Sequence, residues 1–475
     1  MRKIILVLFT ISISLLLISQ EFSLTYRKYQ KPAIISQMEK MLENAPDLEG
    51  KILIVKEFLK KAPQNVLIHR TYQDLMKIYD PDKLYQEYEL LFKKNQNNPI
   101  YIYLFGRVQK KSETAKYYFE KSIERDKNFY WGYIGLSYYY TNEAKPPDYS
   151  KAEELLKKAI SIDNSQPEAF LNLHSIYTMQ RKYELADTVS DILTKINPDD
   201  DSIFLISINR FRRTGEKDRM ISAIEKRIQE KGESPHLLLA LADAYINNGK
   251  IGKTIEIFEK FVNLYPKNSN TPAILFNLSV LYSRKMDKIN TIQYLRRAFE
   301  AGYNLRGWIE NYPPFSFVKG EKEFKELINR INEKIGIGKK VKDFQCKDIN
   351  GNLIDIRKLE GKVVFVDFCA SWYEQCRAEI PFLREAYKRF GNKGLEIISV
   401  SLDDEKDALF SFISKEAIPW KVVFSGKGRN DPIAKIFGID SIPSNFLVDK
   451  RGIMRYADLN GEVLIKRIEE LLKEK

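Results

Sequence analysis

The stretch Val363-Val364-Phe365-Val366-Asp367-Phe368-Cys369-Ala370-Ser371-Trp372-Tyr373-Glu374-Gln375-Cys376-Arg377-Ala378-Glu379-Ile380-Pro381 decides the fold of the last third of the chain. Residues 363–368 are β-branched or aromatic apart from Asp367, and such a run reads as a strand buried on both faces. A short Ala370-Ser371-Trp372 turn follows, and a polar segment with Glu374, Arg377 and Glu379 opens a helix. Chemistry in a strand–turn–helix of this kind sits at the turn. A helix N-terminus carries free N–H groups and partial positive charge, so a cysteine placed there ionises readily and attacks disulfides as a thiolate.

Outward from this stretch, residues 395–402 form a second apolar run, and the two strands with the helix between them predict a parallel βαβ unit. Upstream, Asp348-Ile349-Asn350-Gly351-Asn352-Leu353 places an Asn-Gly turn between two alternating segments and predicts a hairpin. Downstream, Asp403-Asp404-Glu405 is expected to begin a helix reaching about Lys415. Ser441-Ile442-Pro443-Ser444-Asn445-Phe446-Leu447-Val448 and a final helix complete the domain.

These residues resemble the thioredoxin superfamily, most closely its TlpA/ResA-like branch, which reads F-W-A-x-W-C-x-P-C-R-x-E-x-P at this point. Phe368, Ala370, Trp372, Cys376, Arg377, Glu379 and Pro381 match. The family's attacking cysteine falls on Tyr373, its first tryptophan on Cys369 and its intervening proline on Gln375, so Tyr373-Glu374-Gln375-Cys376 is a degenerate C-x-x-C. A tyrosine hydroxyl titrates near pH ~10 and forms no mixed disulfide, which removes the usual two-cysteine route. The resemblance makes Pro443 the cis-proline that faces the site turn. It makes Trp372, Tyr373, Ile442 and Pro443 the lining of a groove for an extended peptide.

Asp367 matches the acid that thioredoxins bury behind their second cysteine. A carboxylate in such a strand is costly to bury, and there it has a raised pKa and takes the proton of Cys376. The alternative is a hydrogen-bonded residue near a domain edge. The resemblance gives Cys376 the part of the shielded cysteine. A spacing of seven leaves a Cys369–Cys376 disulfide open without requiring it, with Cys369 as the candidate redox partner. Cys346 reads as a small buried hydrophobe. The peroxiredoxin pattern P-x-x-x-T/S-x-x-C fits neither Cys369 nor Cys376.

The resemblance covers residues 341–475. Residues 336–340, Gly-Ile-Gly-Lys-Lys, read as a linker, and residues 21–335 are helix after helix. Within them Pro167-Glu168-Ala169-Phe170-Leu171-Asn172-Leu173-His174-Ser175-Ile176-Tyr177 leads through Tyr183 and Ala186 to Pro198 and resembles a tetratricopeptide repeat. Sixty-eight residues later, two periods of 34, Tyr245 stands for Tyr177 and Pro266 for Pro198, so the period is structural. Looser copies follow Gly106, Trp131 with Gly135, and Asn277 with Tyr282. The fold class is thus multidomain, an all-α tetratricopeptide-like solenoid followed by an α/β thioredoxin-like domain. The helix of residues 321–335 would cap the stack.

Met1-Arg2-Lys3 and the uncharged apolar residues 4–18 read as a signal peptide or signal anchor within residues 1–20, sending the rest out of the cytoplasm. At 15 residues the run is shorter than the ~20 of a comfortable spanning helix, and no Ala-x-Ala site marks cleavage, so both readings stay open. The chain carries a net charge of +13, but from Val341 onward 23 basic residues face 22 acidic ones. The excess is scattered over the helices without a basic, aromatic-interleaved stripe, which argues against nucleic acid. Three cysteines exclude a disulfide-built scaffold, and His69, His174 and His236 lack ligand spacing, so neither a metal nor a cofactor is expected.

Two functions follow. In the first, the chain is an extracytoplasmic binding or assembly protein whose repeats and groove hold a protein or an extended peptide without disulfide exchange. In the second, it is a thiol–disulfide oxidoreductase acting through Cys376, with Asp367 as proton acceptor and Cys369 or an external thiol completing the cycle.

Overall fold

The computed structural model describes residues 27–43, 45, 47–439 and 441–474. The expected signal or anchor segment lies outside the described residues. The chain forms two compact units, Met1–Asn268 and Ser269–Lys475.

The first unit is a succession of helix hairpins, and its repeats solve one packing problem in one way. Pro167–Met179 pairs with Tyr183–Ile196, and Pro235–Asn247 with Ile251–Leu264; both first helices begin at a proline, whose missing N–H costs nothing there. Ala169, Ala186 and Ala242 are fully buried, which lets neighbouring helices approach closely. The repeat tyrosines have equivalent partners. Tyr177 donates to Glu153 (3.0 Å) and Tyr245 to Glu225 (2.5 Å), in each case a carboxylate on the preceding hairpin. A methyl group on Gly135 would stand 2.7 Å from the Phe119 ring, so the glycine is required by close packing. Residues 201–232, which lack the repeat signature, still form the pair Asp201–Arg213 and Lys217–Lys231. His69 is buried against the Tyr88 hydroxyl (2.7 Å) and the Pro63 carbonyl (2.9 Å), a structural role.

The second unit joins the last hairpin, Thr271–Arg284 and Lys288–Glu300, and the helix Lys322–Ile335 to a five-stranded sheet. Compactness thus groups these helices with the sheet, whereas the sequence pattern groups them with the repeats. Strands β1 (Gln345–Lys347) and β2 (Leu353–Asp355) form the Asn-Gly hairpin, with Gly351 at φ +85°. The sheet has the order β5-β4-β3-β6-β7, with β3 (Val363–Cys369), β4 (Leu395–Ser401), β5 (Lys421–Phe424), β6 (Ser444–Val448) and β7 (Met454–Ala457). β3, β4 and β5 are parallel, while β6 is antiparallel to both of its neighbours, β3 and β7.

Both faces of β3 are covered. Val364, Val366 and Phe368 pack with Ile398, Val400 and Phe446, and Val363 and Phe365 pack with Ile380, Leu383, Leu464 and Ile468 of the helices Glu374–Phe390 and Gly461–Lys473. By the two-residue period Asp367 and Cys369 point to this second face, toward the helix that follows the turn. Among the described residues no helix is long and apolar enough to cross a membrane.

Candidate redox site

The central strand ends at Cys369 and the site helix begins at Glu374, placing Cys376 in the first helical turn. Cys369 and Cys376 are joined in a disulfide, with Cα atoms 5.7 Å apart. The sequence left this pairing open; the strand end and the helix start bring together two residues that are seven positions apart. Cys369 is half-buried, whereas Cys376 is only 3% exposed. Tyr373 caps the helix by position but makes no side-chain hydrogen bond to it, so the first-turn N–H groups keep their positive field beside Cys376. Trp372 is 60% exposed and meets the half-buried Tyr373 edge to face at 5.8 Å.

Asp367 lies two residues before Cys369, between its strand neighbours Ser399 on β4 and Asn445 on β6. Burial, and secondarily the charge of Glu379, push its carboxyl up to about 7. Glu379 is itself held by the backbone N–H of Gly461 at 2.9 Å. Asp367, Cys369, Cys376, Ser399, Ser401 and Asp403 are among the residues that line a cavity of about 30 Å³, room for one water molecule.

Asp403 was not singled out from the sequence, where it was expected to start a helix. The helix instead runs Lys406–Glu416, and Asp403 is 1% exposed. Its carboxylate accepts from the Ser371 N–H (3.1 Å), the Ser371 hydroxyl (2.7 Å) and the Ser401 hydroxyl (2.8 Å). The neighbouring Leu402 N–H donates to the Cys369 carbonyl at 2.7 Å. These bonds fix the turn between the cysteines. A signal was present: Asp403 follows a buried parallel strand at its C-terminal end, where α/β folds place their sites.

The Ile442–Pro443 bond is cis. Ser444 pairs with Phe368, so Pro443 stands one residue beyond that pair, at the end of β3 that carries Cys369. Pro443 is exposed and Ile442 half-buried. Cys346 is a free, half-buried thiol that burial pushes up to about 11, unsuited to attack. Among the described residues no group of three His, Cys, Asp or Glu side chains could hold a metal ion.

A βαβ core, a cis-proline at the strand end that carries Cys369, and a buried acid two residues before that cysteine define a thioredoxin-fold redoxin. Residues 337–457 match the AhpC/TSA family, and residues 235–268 match a tetratricopeptide repeat. Thiol-disulfide oxidoreductase ResA of Bacillus thuringiensis subsp. konkukian is 32% identical over 141 residues, covering 30% of this chain and 79% of that protein. ResA of Bacillus subtilis is 29% identical over 120 residues, 25% of this chain and 65% of that protein. The thioredoxin domain of a thiol-disulfide oxidoreductase from Bacteroides vulgatus is 27% identical, with a TM-score of 0.27, over 29% of this chain and 98% of that one. Through its C-terminal domain the chain belongs to the AhpC/TSA redoxin family, with ResA-like relatives.

Proposed function

We propose that the chain is a thiol–disulfide oxidoreductase whose working pair is Cys369 and Cys376, carried by a helical-repeat scaffold that holds the protein partner. The observation that carries this reading is the Cys369–Cys376 disulfide at the site turn, above a buried acid and opposite the cis-proline. The names of the ResA relatives favour it over binding without exchange.

In the reduced form, Cys369 is the sulfur open to an incoming disulfide, because Cys376 is almost fully enclosed. The Cys369 thiolate attacks a substrate disulfide; a Cys369–substrate bond forms, the substrate S–S bond breaks, and the first substrate thiolate leaves and is protonated. Asp367 then takes the proton of Cys376, whose thiolate attacks Cys369. The Cys369–Cys376 bond re-forms, and the second substrate thiol leaves with the proton. The substrate disulfide gains two electrons and two protons, and an external dithiol restores the reduced pair. Cys376 is thus the resolving sulfur, and Tyr373 with Trp372 shapes the groove. The basic start followed by the apolar residues 4–18 supports placement of this chemistry outside the cytoplasm.

The test is trapping. The reduced Cys376→Ser variant, treated with 5,5′-dithiobis(2-nitrobenzoate), is expected to hold a stable thionitrobenzoate adduct on Cys369, while Cys369→Ser forms its adduct far more slowly. Equal, slow labelling of both, with no turnover by the unmodified chain, contradicts the proposal and restores the reading of a groove that binds without exchange.

A further inference from the structure

The last helical hairpin reaches the redox groove through a buried ion pair. Arg306 follows that hairpin, and its Nε donates to both oxygens of Asp458, at 3.1 and 2.8 Å. Both side chains are 8% exposed. Nearby, the Asn304 amide stands 3.5 Å from the hydroxyl of Ser441, two residues before Pro443. Asp458 lies just after β7 in a left-handed conformation, φ +54°, that an aspartate tolerates and glycine prefers. Its carboxylate is what a glycine could not supply.

From Asp458 the connection runs directly into the site. The Asp458 N–H donates to the Asn445 carbonyl (2.9 Å), and the Asn445 N–H approaches the Asp458 carboxylate (3.4 Å). The Asn445 side chain bridges the Leu459 carbonyl (2.8 Å) and N–H (2.9 Å). Asn445 is the strand partner of Asp367 and stands two residues after Pro443. Two residues beyond Leu459, the Gly461 N–H holds Glu379, whose charge bears on Asp367. One short segment, residues 458–461, therefore ties Arg306 to the cis-proline strand and to the surroundings of the buried acid.

We propose that Arg306 is a positioning residue for the redox groove: clamped on Asp458, it fixes the start of β6 that carries Pro443, and so governs how an extended peptide disulfide is held. The inference rests on the oxidoreductase reading above. A peptide laid along the groove bonds to the backbone beside the cis-proline and needs that backbone held in place. A small symmetrical disulfide reaches Cys369 without it. Arg306 is thus a determinant of substrate class, favouring protein disulfides over small ones.

Removing Arg306 alone takes the guanidinium from a buried carboxylate and threatens folding, so the decisive variant is Arg306→Leu with Asp458→Asn, which removes both charges together. In the full-length chain, this double variant is expected to raise KM for insulin about tenfold while kcat for 5,5′-dithiobis(2-nitrobenzoate) stays within about twofold. Arg306→Lys, which keeps a cation and a donor, is expected to fall between. An unchanged KM for insulin, or equal loss on both substrates, overturns the role of Arg306 and leaves the oxidoreductase reading intact. An unmodified chain that reduces neither disulfide contradicts that reading and takes this inference with it.

Discussion

The helical repeats and the redox turn use buried polar groups in opposite ways. In the repeats, Tyr177 with Glu153 and Tyr245 with Glu225 are two copies of one contact, each joining a hairpin to the one before it. At the turn, Asp367, Asp403 and the two cysteines each occur once, and the loop is closed by a covalent bond and three hydrogen bonds from serines. A repeated contact spreads stability over neighbouring interfaces and tolerates loss. An unrepeated one concentrates function on single atoms.

This contrast breaks first, if it is wrong, at the cysteines. Cys369→Ser and Cys376→Ser are each expected to lower insulin reduction by about two orders of magnitude or more, with the helical content by circular dichroism unchanged. Comparable residual activity in either variant would show that the pair is not the working unit.

Asp367 sharpens the comparison through pH. Its folded pKa of about 7 lies above the ordinary carboxyl value near 3.9, so the native state keeps a proton that the unfolded chain releases. Stability of the C-terminal unit therefore falls as pH rises from about 4 to about 7 and stays reduced above that window. Asp367→Asn removes the penalty. It is expected to stabilise by up to about 4 kcal/mol at pH 8 and hardly at all at pH 4, read by denaturant unfolding, while slowing the resolving step. Equal stabilisation at both pH values would mean that the carboxyl titrates normally.

Asp403→Ala leaves the Ser371 N–H and hydroxyl without their acceptor. A cost of about 1–3 kcal/mol is expected, with loss of insulin reduction of about tenfold as the turn loosens. The smallest effect belongs to the repeats: Tyr245→Phe is expected to cost about 1 kcal/mol in thermal unfolding and to leave disulfide reduction untouched. A redox effect from Tyr245→Phe would join the two regions that are separated here.

What was legible in the sequence follows the same division. The repeat period, the buried strand, the Asn-Gly hairpin and the parallel βαβ unit are local or periodic patterns, and each formed where its residues predicted. The cis-proline was expected only through the family resemblance, and the buried acid was readable because a carboxylate is costly inside an apolar strand. The disulfide was not implied by any familiar spacing; it depends on where a strand end and a helix start lie in space. Asp403 was hidden because an acidic cluster before a helix reads as a solvated N-terminus, and only the packing shows it turned inward. Arg306 was hidden for a related reason, since its partner Asp458 is 152 residues away.

The most direct measurement is iodoacetamide labelling of the full-length chain, before and after dithiothreitol, followed by mass spectrometry of the peptides containing Cys369 and Cys376. The account predicts a Cys369–Cys376 crosslinked peptide with neither thiol labelled before reduction, and after reduction labelling of both, Cys369 faster than Cys376. Free labelling of either cysteine without reduction, or no crosslinked peptide under oxidising conditions, would contradict it.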